Sequence, residues 1–140
     1  MISRDIITSF YSKDADLLNE FHVLAPTTLA NAVEHTFKRV RECEGFGCQT
    51  TVTQNWYGTI GKHDNCTILY AFFIDVEQRK KESVKHGFLS FLKEKGVTHA
   101  CVWDRNIRAK RFFEKNNFKF VMKISDDDEN QEYCVYQLNP

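Results

Sequence analysis

The run "CTILYAFFIDV" (66–76) constrains the fold of this chain more than any other stretch. It is the most apolar segment and follows the turn residues "KHDN", a pattern that predicts a central strand. A helix follows. From Ser83 to Lys95, Val84, Phe88, Phe91 and Leu92 share one face, and Gly96 ends the helix. "THACVW" (98–103) is then a second strand. Two strands joined by a single helix become parallel neighbours through a right-handed crossover.

The other segments fill in around this unit. "IITSFY" (6–11) reads as a short opening strand, and "DADLLNEFHVL" (14–24) as a short helix entered through Asp14. After Pro26, Leu29, Val33, Phe37 and Val40 recur at helical spacing until Gly45 and Gly47. Strands are expected at 48–54 and 57–61 before the apolar run. "NIRAKRFFEKNNF" reads as a helix. The segments 119–124 and 132–138 flank "SDDDENQ" as an antiparallel hairpin. The expected fold class is α/β, with a mixed, mostly antiparallel sheet of six or seven strands and about four helices. One domain spans 1–140.

Composition narrows the classes. With 42% apolar and 27% charged residues the chain is an ordinary globular sequence. No apolar run approaches the ~20 residues of a membrane span, and the start lacks a signal peptide's apolar core. A soluble, cytoplasmic protein is expected. The "NCT" at 65–67 carries no weight as a glycosylation acceptor without a secretory signal. Five scattered cysteines (Cys43, Cys48, Cys66, Cys101, Cys134) lack zinc-ligand spacing, so buried reduced thiols and no metal are expected.

Charge is zero in sum and uneven in distribution. Residues 1–78 hold 6 Lys/Arg and 10 Asp/Glu, residues 79–123 hold 13 and 4, and residues 124–140 hold 0 and 5. An anionic partner is expected along 79–123. Its first part, "RKKESVK", lies where a strand hands over to a helix, and a helix start offers free N–H groups and a positive dipole end to phosphate. Arg79, Lys80, Lys81 and Lys85 would reinforce such a site. A solvated basic turn explains the same residues, and spacing alone leaves both open.

The strand–helix–strand–helix order and its motifs resemble the GNAT superfamily of N-acyltransferases. In "NIRAKRFFEKNNF", Asn106, Ala109, Phe112, Phe113, Glu114, Lys115, Asn117 and Phe118 fall in order on the positions of that family's second motif, over a resemblance spanning about residues 66–120. "FFIDVEQR" stands at the family's strand and phosphate loop. The resemblance implies acetyl-CoA or another acyl-CoA as co-substrate, an amine acceptor, and no metal. The implied cofactor contacts are Phe73, Ile74, Val76, Arg79, Lys80, Lys81, Ser83, Val84, Lys85, Asn106 and Phe113.

Two departures bear on chemistry. The family's loop glycines correspond to Glu82 and Val84, or to Lys81 and Ser83 in the alternative register, so the close backbone approach of glycine is lost. Phe113 stands where many members carry a tyrosine that protonates the thiolate. Asn117 for the family's glycine is mild, because Asn also adopts left-handed turns.

For the acceptor side the candidate catalytic residues are Asp75 and Asp104, each near the end of one of the two parallel strands. Asp104 as a plain helix cap, and Asp75 facing solvent, are the competing readings. His63 reads as a surface turn residue. Trp56 and Tyr57 read either as buried aromatics or as the lining of an acceptor cleft. Three functions stay open: a CoA-dependent N-acyltransferase, an inactive GNAT-fold binding module, and a nucleic-acid-associated protein using residues 79–123. The acceptor could be a small molecule, a protein amine or a nucleobase, and a homodimer stays open.

Overall fold

The computed structural model describes residues 2–14, 16–17, 28–126 and 131–138. The chain begins with helix α1, Arg4–Tyr11, where the sequence pattern suggests a strand. The Ser3 hydroxyl caps it by accepting the Ile6 N–H at 3.2 Å. Ile7, Phe10 and Tyr11 are buried at i, i+3 and i+4, so a helical period overrides the β propensity of "IITSFY". The helix expected at 14–24 lies mostly outside the described residues. At its start, Asp14 accepts the Leu17 N–H, as a helix-opening residue does.

Helix α2, Leu29–Gly45, is capped by Thr28, and the chain leaves it through Gly47 at φ 95°. Strands β1 (Gln49–Val52), β2 (Trp56–His63) and β3 (Cys66–Ile74) form a meander, with Asp64 at φ 54° in the β2–β3 turn. Helix α3, Glu82–Glu94, crosses to β4, His99–Trp103. Helix α4, Ile107–Lys115, leads to β5, Phe118–Asp126, and β6, Gln131–Leu138. Asn117 sits between α4 and β5 at φ 67°, the left-handed conformation expected of it.

The six strands form one sheet in the order β1-β2-β3-β4-β6-β5. Every neighbouring pair is antiparallel except β3 and β4, the parallel pair required by the crossover. Side-chain alternation then feeds two cores. On one face Trp56, Leu69, Ile74, Phe88, Leu92, Ala109 and Phe113 pack with α3 and α4. On the other, Ile7, Phe10, Tyr11, Val33, Phe37, Val40, Tyr57 and Phe73 pack with α1 and α2. Trp56 and Tyr57, adjacent in sequence, therefore point into opposite layers. Among the described residues no helix is long and apolar enough to cross a membrane.

A candidate active site between two splayed strands

The parallel pairing of β3 and β4 is short. Ile68 faces His99 and Leu69 faces Ala100, and the register ends there. The reason lies on the other edge of β3. Thr59 of β2 pairs with Ala71 but Ile60 pairs with Leu69, so Tyr70 is an extra residue, a β-bulge. A bulge bends its strand and increases local twist. The bulge falls where the pairing with β4 stops, and among the described residues the two strands are unpaired beyond it, which leaves an opening between them.

Arg39 of α2 spans that opening. Its guanidinium donates to the bulged Tyr70 carbonyl at 3.1 Å and to the Tyr133 hydroxyl of β6 at 2.9 Å. Tyr133 is paired with Trp103 of β4, so Arg39 ties the two diverging halves together.

The opening has two mouths, one in each helical layer. The mouth beneath α3 and α4, a cavity of about 150 Å³, is lined by Phe72, Phe73, Ile74, Arg79, Lys85, Asn106, Arg108, Ala109 and Phe112, with Leu17 at its rim. The opposite mouth, of about 120 Å³, is lined by Tyr11, His35, Arg39, Tyr57, Trp103 and Tyr133, among others. Phe72 and Asn106 line both. They stand at the waist where the two meet.

Of the residues implicated by sequence, Phe73, Ile74, Arg79, Lys85 and Asn106 reach the first mouth. Asn106 is also the N-cap of α4, accepting the Ala109 N–H at 3.1 Å. Lys81 is the N-cap residue of α3 with no side-chain cap bond. The N–H groups of Val84 and Lys85 return to the Lys81 carbonyl, which leaves those of Glu82 and Ser83 outside the helix's own ladder. Lys80, Lys81 and Ser83 are exposed at this helix start, whereas Val84 packs against the core. Val76 is half-buried in the turn between β3 and α3 and does not line the cavity.

Arg79 is not aimed at solvent. Its Nε donates to the Ile74 carbonyl at 2.8 Å and its Nη2 to Asp14 at 3.0 Å, with Arg108 on the same carboxylate at 2.5 Å. Asp14 is buried. Burial pushes its carboxyl up, but hydrogen bonds and charge from Arg108 and Arg79 outweigh that and hold it below the usual carboxylate range. The Glu82 carboxylate, of the wrong sign for a phosphate site, is paired with Lys85 at 3.2 Å.

Neither candidate aspartate reaches the opening. Asp75 is buried in the turn after β3, where it accepts the Glu77 N–H at 2.9 Å and pairs with Lys13 at 3.2 Å. Asp104 accepts from Lys110 at 3.2 Å and from the Cys134 thiol at 3.1 Å. The thiol hydrogen bond, then Lys110 and Lys123, hold its carboxyl low. Nor is it the cap of α4, a role taken by Asn106 two residues later. Both carboxylates brace the protein, and neither lines either mouth.

Phe113 is likewise not at the opening. It is fully buried and packs against Phe72, Phe118 and Tyr136, one layer behind the waist. A hydroxyl at this site enters close-packed rings, so Phe113→Tyr is expected to lose about 1–3 kcal/mol of stability. Denaturant unfolding checks this, and turnover by the variant should not exceed wild type.

The second mouth holds residues that the motifs did not point to. The Tyr11 hydroxyl lies 2.7 Å from Thr36 Oγ1 and 3.3 Å from the Tyr57 hydroxyl. Burial raises both phenols, Tyr57 well above its ordinary value, so both remain protonated near neutral pH. Tyr57 lines this mouth, while Trp56 is core packed on Phe88 and Phe91. His35 stands one turn before Arg39 on α2 and completes the rim. His63 is exposed in its turn, as expected.

The basic segment is partly neutralised within the chain. Arg79, Lys85, Arg108, Lys110 and Lys123 all pair with carboxylates. Among the described residues no group of three or more His, Cys, Asp or Glu side chains could hold a metal ion.

No protein-family model matches the chain, and no curated protein matches it in sequence. Solved structures do match. RimL, a ribosomal-protein alpha-N-acetyltransferase in its apo form, superposes with a TM-score of 0.52 at 8% identity, over 96% of this chain and 84% of that one. A GNAT-family acetyltransferase from Bacillus cereus also gives 0.52, at 14% identity over 99% of this chain and 95% of that one. On these likenesses the chain has the fold of the GNAT acetyltransferases.

Proposed function

We propose that the protein is a CoA-dependent N-acyltransferase whose acyl donor enters by the α3/α4 mouth and whose amine acceptor enters by the α1/α2 mouth. The observation that carries this reading is the split between β3 and β4 with a cavity on each side and a shared waist at Phe72 and Asn106. The fold neighbours bear acetyltransferase names, which agrees with the same chemistry. From Tyr70 to Ile74 the edge of β3 facing β4 is not paired with a strand among the described residues, so its backbone groups can orient a thioester.

The donor mouth fits an acyl-CoA arm in kind. Its floor is apolar, and Lys80, Lys81 and Lys85 surround the start of α3, where phosphate groups gain from both dipole and charge. Without loop glycines the phosphates are held more by these lysines than by backbone contact, so binding should weaken steeply with salt. Arg79 contributes by fixing the turn.

In the transfer, the amine nitrogen bonds to the acyl carbon, the carbon–sulfur bond breaks, and its electron pair leaves on sulfur. The proton lost by the amine needs an acceptor and the thiolate needs a donor. Asp75 and Asp104 line neither mouth and are engaged by protein partners. His35 is of the residue type that commonly exchanges protons near neutral pH, and it lines the acceptor mouth. Without a phenol from α4, the thiolate takes its proton from water.

The reading is tested by following thiol release from acetyl-CoA over a panel of amines. Release is expected with wild type, and His35→Ala should lower it by about 10²-fold. Binding of acetyl-CoA with no release for any amine would favour the inactive binding module. The absence of both would remove the reading.

A further inference from the structure

The acceptor mouth carries an unusual charge for a site that receives amines. Among the described residues none that lines it is Asp or Glu, and Arg39 is the one of them with a permanent charge. A mouth built for polyamines or other polycations would be lined by carboxylates, because a positive wall repels a positive ligand.

Arg39 is also incompletely used. A guanidinium has five N–H donors. Two are committed, to the Tyr70 carbonyl and the Tyr133 hydroxyl, and both acceptors are uncharged. No carboxylate pairs with Arg39 among the described residues, although Arg4, Arg79 and Arg108 all have one. The two bonds fix the guanidinium at the opening, so its remaining donors are already oriented. A pre-oriented, half-buried guanidinium suits two-pronged recognition of a carboxylate.

Around it the mouth is aromatic and neutral. Tyr57, Trp103 and Phe72 offer ring surface, and the buried phenols add no negative charge at neutral pH. Its volume of about 120 Å³ suits a small molecule.

We infer that the α1/α2 mouth selects small amines that bear a carboxylate, that is, amino acids or their close analogues, with Arg39 holding the carboxylate. Naming this ligand the acceptor rests on the acyl-transfer reading. Its binding does not. Arg39 acts here as a specificity-determining residue as well as a strut across the splayed strands.

The test uses matched pairs that differ by the carboxylate: phenylalanine with phenethylamine, and γ-aminobutyrate with butylamine. Calorimetric titration of the full chain, without acetyl-CoA, reads binding independently of any transfer. The carboxylate-bearing member should bind about tenfold or more tightly, in line with one charge-assisted hydrogen-bonded pair. Arg39→Gln should erase that preference, and Arg39→Lys should recover part of it, with circular dichroism confirming that each variant folds. Equal affinity within the pairs, tighter binding of spermidine or of a short acidic peptide, no binding of any member, or an unchanged preference in Arg39→Gln would each overturn the inference. Thiol release is measured separately with the same pairs. If carboxylate binding holds but release never occurs, acyl transfer fails while the ligand assignment stands.

Discussion

Asp14→Asn is expected to destabilise the protein by about 3 kcal/mol, the lower end of what removing one partner from a buried ion pair costs. Asp14 is 3% exposed and holds two guanidinium groups, from the β3–α3 turn and from the first turn of α4. The lower end applies because Arg79 and Arg108 keep 24% and 29% of their side-chain surface in water. Without the carboxylate the two cations are left unpaired together at the α3/α4 mouth. A fall in Tm of roughly 10 °C should follow in calorimetry.

The same residue sets an acid limit. Its folded pKa lies below the unfolded one, so its contribution is fully present above the unfolded value of about 3.9. It is lost as pH falls through the depressed folded value. Wild type should therefore lose stability below about pH 4 more steeply than Asp14→Asn. Parallel acid titrations of the two proteins would count against this role for Asp14.

Phe72→Ala should cost about 3 kcal/mol and disable the site as well. Its ring lies 5.3 Å from Phe88, 5.6 Å from Phe112 and 5.2 Å from Phe113, centre to centre, so its loss unpacks the α3/α4 layer. Phe72 also stands with Asn106 between the two mouths. On the acyl-transfer reading, truncation joins them and admits water where transfer would take place. Thiol release should drop by about 10²-fold or more, whereas Phe72→Leu should retain most of the stability. Full activity in a folded Phe72→Ala protein would show that the chemistry lies elsewhere.

Most of the architecture was legible in the sequence because its signals are local. The 66–76 run, the helix face from Val84 to Leu92, and Gly96 at φ 70° set the parallel crossover. Asn106 and Asn117 take the cap and left-handed positions that their residue types suggest. Helix α1 stands where "IITSFY" suggests a strand, because its β-branched residues fill too short a window to show the helical period.

Residues implicated by sequence gather mainly at one mouth. Sequence motifs single out Phe73, Ile74, Arg79, Lys85 and Asn106, which line the α3/α4 mouth. They could not show that Arg79 turns inward, since its partner Asp14 is far away in sequence. Nor could they find the Tyr70 bulge, which is a mismatch between two strands rather than a property of either. Arg39, Tyr11 and Tyr133 belong to three distant segments, and only tertiary packing brings them to one mouth. The helical spacing of His35 and Arg39 on α2 was the one visible hint, a polar pair one turn apart beside a buried stripe.

The central claim is that acyl-CoA lies in the split between β3 and β4, and backbone amide shifts on titration with acetyl-CoA test it most directly. The account predicts saturable shifts confined to Tyr70–Ile74, Lys80–Lys85 and Asn106–Ala109, weakening as salt is raised. Saturable shifts centred on another surface, or none at millimolar acetyl-CoA in low salt, would contradict it.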